Sequence, residues 1–73
     1  MEQYIVVPQE FVLKMAGKMT GNIEFAARQT IDGRWVCAAQ SADDFKEEFK
    51  EIGTPEMVEL DTNDFPSTTI IPQ

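Results

Sequence analysis

The stretch IEFAARQTIDGRWVCAAQ, residues 23–40, decides the fold. Two strand-like runs, 23–31 and 34–40, flank Asp32-Gly33, and a two-residue Asp-Gly loop fits a type I′ turn. Such a turn sets the register: Ile31 faces Arg34, Thr30 faces Trp35, Gln29 faces Val36, Arg28 faces Cys37 and Ala27 faces Ala38. Because side chains alternate across a strand, that register also sorts the faces. Ile23, Phe25, Ala27, Ile31, Val36 and Ala38 then form the core face. Ala26, Arg28 and Thr30 stand with Trp35, Cys37 and Ala39 on the other, a small and rather apolar patch around one tryptophan.

Upstream, Tyr4, Ile5, Val6 and Val7 form a continuous apolar run, the pattern of a strand covered on both sides, and Pro8 ends it. Residues 9–19 are expected to be helical, with Phe11, Met15 and Met19 at four-residue spacing beside Val12 and Ala16. Gly17 opposes that reading, and an extended path is the alternative. Downstream, residues 41–52 carry the clearest helical pattern. Ser41 stands at the cap, Phe45, Phe49 and Ile52 form the apolar stripe, and Gly53 and Pro55 stop it. Residues 56–62 read as a last strand.

The resulting order is β-α-β-β-α-β, an α+β fold. With right-handed crossovers it gives a ferredoxin-like antiparallel four-stranded sheet with two helices on one face. If residues 9–19 are extended, a mainly β domain with one helix follows instead. One domain is expected over residues 1–64, with an extended tail at 65–73 whose two prolines argue against a helix or a central strand.

Composition narrows the chemistry. Thirteen acids against six bases give a net charge of −7. A nucleic-acid surface needs the opposite sign, so nucleic acid and anionic membranes are not expected partners. No apolar run is long enough to cross a bilayer, and residues 1–4 lack the pattern of a signal peptide. There is one cysteine, Cys37, and no histidine. That composition removes an internal disulfide and a tetrahedral zinc site, and a lone thiol suits a reducing, cytoplasmic setting.

No motif marks an enzyme. Asp61-Thr62-Asn63-Asp64 opens like a calcium loop, but Phe65 and Pro66 occupy the positions that need an oxygen ligand and a glycine. Cys37 lacks a base to activate it, and the four glycines form no phosphate cradle. No catalytic residue, cofactor or metal is assigned. Asp43, Glu47 and Glu51 mark an acidic helix face that reads first as solvated surface.

Trp35 is the residue singled out for function. With Arg28, Cys37, Ala26, Ala39 and Thr30 it forms a candidate interaction surface on the open sheet face, since tryptophan and arginine often dominate interface energies. The cover is either a partner, including a second copy as a homodimer, or the chain's own tail through Phe65, Ile70 or Ile71. The expected function is a small non-enzymatic interaction or assembly domain. The alternatives are an acidic inhibitor or nucleic-acid mimic acting through Asp43, Glu47 and Glu51, and a small-molecule-binding domain.

Overall fold

A computed structural model describes residues 1–66. The elements run β1 (Glu2–Val7), α1 (Gln9–Met15), β2 (Met19–Thr20), β3 (Ile23–Glu24), β4 (Ala27–Gln29), β5 (Trp35–Ala38), α2 (Ser41–Asp44), α3 (Lys46–Phe49), β6 (Glu56–Leu60) and a 3₁₀ turn (Thr62–Asp64). The protein is mixed α+β. Four strands form one antiparallel sheet in the order β4-β5-β1-β6, and β2 and β3 form a separate two-stranded ribbon.

The apolar run at residues 4–7 builds a central strand. β1 pairs on one side with β5 and on the other with β6. Ile5 and Val7 point into the larger core beside Phe11, Met15, Phe25, Cys37, Phe45 and Phe49. Residues of α1 and α3 belong to that core and Ala42 of α2 packs against it, so the helices lie on the Ile5–Val7 side of the sheet. Tyr4 and Val6 point the other way and pack on a smaller cluster of Val36, Leu60 and Phe65.

Three expected elements form differently. The first helix keeps to residues 9–15 and stops where Gly17 turns left-handed at φ +78°. Without a Cβ, glycine takes that conformation at no steric cost. Met19 therefore leaves the helical stripe and joins the extra ribbon, 57 % exposed. The run at 23–31 is likewise divided, its first part pairing with β2 and its second with β5. The helix expected over 41–52 breaks at Phe45, whose backbone (φ −123°, ψ 50°) is not helical. Phe45 is buried there, edge-on to Phe25 with ring centroids 5.8 Å apart. Ser41 is the first helical residue instead of the cap.

The decisive difference is in the hairpin. The observed partners are Ala27 with Cys37, Arg28 with Val36 and Gln29 with Trp35, one residue away from the expected register. The loop has three residues, Ile31-Asp32-Gly33, because Thr30 N–H donates to Arg34 C=O at 2.8 Å. Among the described residues only glycines have positive φ, Gly33 at +90°, whereas a type I′ turn needs it at Asp32 as well. A side-chain network closes the longer loop. Arg34 N–H donates to the Thr30 hydroxyl at 3.0 Å, that hydroxyl donates to the Asp32 carboxylate, and Arg34 Nε reaches the same carboxylate at 3.1 Å.

A slip of one residue exchanges the faces of β5 relative to β4. Trp35 and Cys37 go beneath the helices, and Val36 goes to the opposite side. This places the larger apolar payload, the indole, against the larger core.

Candidate interaction surface

The six residues expected on one open face are not gathered there. Cys37 is buried against Ile5 and Ala27, and Trp35 is half-buried against the helix-side core opposite Val7 and Gln29. Thr30 is buried at the hairpin, where its hydroxyl is used locally. Ala26 is exposed between β3 and β4, and Ala39 is half-buried in the turn after β5. Only Arg28 points to the helix-free side, where its guanidinium carbon lies 3.7 Å from the centre of the Phe65 ring.

Alternation along the strands assigns the helix-free face directly. β1 contributes Tyr4 and Val6, β5 contributes Val36 and Ala38, and β6 contributes Val58 and Leu60, with Tyr4 opposite both Ala38 and Val58. Val36, Leu60 and Phe65 are buried, Tyr4, Val6 and Val58 are half-buried, and Ala38 is exposed. No residue of α1, α2 or α3 belongs to this cluster.

Phe65 arrives here because the chain turns sharply after β6. The Asp61 carboxylate accepts the Asn63 N–H at 2.8 Å and the Asp64 carboxylate accepts the Asp61 N–H at 2.9 Å, a reciprocal cap on the 3₁₀ turn. The Asp64 carbonyl then accepts the Ile31 N–H at 2.9 Å, fastening residues 61–65 to the hairpin beside β4. β4 and β6 are opposite edges of the sheet, so this segment crosses the helix-free face. Phe65 packs on Tyr4 with ring centroids 5.4 Å apart. Of the three tail residues expected as cover, Phe65 covers this face and not Trp35. Ile70 and Ile71 lie outside the described residues.

The face carries little reactive chemistry. Cys37 is on the other side of the sheet, and burial pushes its thiol up to about 11, against a smaller opposing effect of its hydrogen bond with Ser41. At neutral pH it is therefore a protonated, enclosed thiol, the wrong state for a nucleophile. The Asp32 carboxyl is held below its usual range, first by the Thr30 hydroxyl, against an opposing effect of desolvation, and then by Arg34. Among the described residues no cluster of three ligating side chains is placed to hold a metal, and no buried side-chain polar atom lacks a hydrogen-bond partner.

The acidic helix face is partly neutralised. Glu47 pairs with Lys50 at 3.2 Å, Glu51 pairs with Lys14, and the neighbouring Glu48 pairs with Lys18 at 3.5 Å. Asp43 stays exposed and outside any ion pair among the described residues.

Sequence reasoning missed Tyr4, Val6, Ala38, Val58 and Phe65 as one surface. The signal was present in part: an apolar run in a central strand must send alternate residues to both sides, and Tyr4 and Val6 are the second set. No protein-family model, curated protein or solved structure matches the chain.

Proposed function

We propose that this protein is a small, non-enzymatic interaction domain whose helix-free sheet face seats against a second copy of itself. The observation that carries the reading is the row of Tyr4, Val6 and Val58 beside exposed Ala38, apolar side chains that no helix among the described residues covers. Two such faces placed together bury each other's row through a self-complementary contact. A 73-residue chain has a thin stability margin, and association adds to it. The architecture is read as ferredoxin-like. The strand order β4-β5-β1-β6, antiparallel throughout, supports that topology, with the β2–β3 ribbon as an addition. A reducing, cytoplasmic setting fits the unpaired, buried Cys37. No helix among the described residues is long and apolar enough to cross a membrane.

The acidic-mimic reading draws less support, because Glu47 and Glu51, two of its three residues, are tied to lysines. Sedimentation over a wide concentration range tests the dimer. Association is expected to strengthen as salt rises, since each copy carries −7 and screening removes repulsion. Ala38→Glu, at an exposed position, is expected to leave the fold intact and dissociate the dimer. A monomer at every concentration and salt level rejects the reading.

A further inference from the structure

We propose that the outer edge of β6 is a docking edge for an extended, basic segment of a partner protein, which adds to the sheet as a fifth strand. An edge strand offers a row of backbone N–H and C=O groups without partners, and proteins usually blunt such rows. The two edges of this sheet differ in that respect. β4 has three residues, and the outer side of its hairpin is occupied where Ile31 N–H meets the Asp64 carbonyl. β6 has five residues, all paired with β1 or within its ladder, and no other backbone hydrogen bond reaches Glu56–Leu60 among the described residues. No proline, glycine or lysine interrupts the strand.

Charge selects the occupant. Glu56 and Glu59 are exposed, and neither is in an ion pair among the described residues. Glu2, the first residue of β1, stands across the ladder from Leu60. None of the six lysines and arginines lies on β1 or β6. The same carboxylates disfavour a second copy here. A symmetric β6–β6 pair brings four glutamates onto one short ladder, and like charges across a ladder destabilise it. A lysine- or arginine-bearing strand meets complementary charge, and its backbone satisfies the edge.

Side-chain alternation refines the recognition pattern. Glu56 and Val58 face the helix-free side, whereas Met57 and Glu59 face the helix side. Partner residues opposite 56–59 thus read basic, apolar, apolar, basic. That pattern is its own reverse, so it holds for a parallel or an antiparallel arrival.

A displayed library of ten-residue random peptides, selected on the full chain, tests the proposal. Enrichment of two basic residues three apart, bracketing two apolar ones, is expected. Binding of the enriched synthetic peptide should slow amide exchange at residues 56–60 and should be lost on N-methylation of its backbone. The double variant Glu56→Lys/Glu59→Lys, both exposed positions, is expected to weaken it about tenfold or more. Glu59→Gln is expected to give a smaller loss and serves if the double variant does not fold. No enrichment, enrichment of acidic peptides, or exchange protection confined to other residues overturns the proposal. Ala38→Glu is expected to leave this binding unchanged, so failure of the dimer and failure of the docking edge are separate results.

Discussion

The two faces of the main sheet bury apolar side chains in different ways. On the helix side, Phe11, Phe25, Phe45 and Phe49 meet mostly edge-to-face, with centroids 5.0 to 6.4 Å apart, over Ile5, Val7 and Cys37. These rings come from α1, the segment before β4, and the broken helix pair, so three separate stretches of chain lock one another. On the other side a single segment brings a single ring, Phe65, onto Tyr4, Val36 and Leu60. Neither side depends on buried charge. The contrast teaches that the helix-covered face holds the fold, while the helix-free face is closed locally and stays accessible along Val6, Ala38 and Val58.

Paired truncations are the largest test of that contrast. Phe25→Ala removes the ring that touches Phe11, Phe45 and Phe49, and is expected to cost about 3–5 kcal/mol. For a domain this small that is a large share of total stability, and urea unfolding should show little or no native baseline. Phe65→Ala is expected to cost less, about 2–3 kcal/mol, and to act locally. The Ile31 amide, held by the Asp64 carbonyl, should then exchange faster while amides of β1 keep most of their protection. Equal losses from the two substitutions, or uniform acceleration across β1, remove the distinction between the faces.

Alkaline titration sharpens the same comparison from within the helix-side core. The ordinary thiol value is 9.0 and burial of Cys37 raises it to about 11 in the folded chain. Between these values the unfolded chain has lost the proton that the folded chain retains, so stability falls as pH rises. The contribution is complete below pH 9 and is expected to be reduced by roughly 2–3 kcal/mol at pH 11. The measurement is a difference between the parent and a variant without the thiol. Urea midpoints from pH 8 to 11 should fall more steeply for the parent than for Cys37→Ala. Parallel slopes mean that the thiol is not enclosed.

Much of this architecture is legible in the residues. The apolar run at 4–7 marks the strand that ends up central, and Asp61–Asp64 supplies turn chemistry, whereas the second helical region ends at Phe49 with Lys50 as its cap, short of the expected Gly53. The surface was not legible, because it depends on one register. Asp32-Gly33 carries the chemistry of a two-residue turn, and local rules favour it. The Thr30 hydroxyl, Asp32 carboxylate and Arg34 guanidinium together close a three-residue loop instead, and the indole fits under the helices only in that frame. Propensity rules treat positions singly, and this choice is made by a network of three side chains and a distant core. Phe65 was missed for a related reason. Two prolines in its stretch of sequence argue against regular structure, but a residue outside helix and strand can still deliver one large ring to a sheet.

The smallest expected effect isolates what fastens Phe65. Arg28 lies over its ring at 3.7 Å and is in no ion pair among the described residues, whereas Arg34, Lys14, Lys18 and Lys50 each have a carboxylate partner. In a chain with seven excess acids, a guanidinium left on an aromatic face points to a cation–π contact worth about 0.5–1 kcal/mol at an exposed site. Arg28→Gln keeps much of the side chain's length and removes the charge, so a loss of that size is expected in urea unfolding. Arg28→Lys should retain part of it, since an ammonium is attracted to the same ring face without stacking on it. In the Phe65→Ala background, Arg28→Gln should have almost no further effect. An undiminished loss there would mean that Arg28 acts on the general charge balance, and that Phe65 is held by packing on Tyr4, Val36 and Leu60 alone.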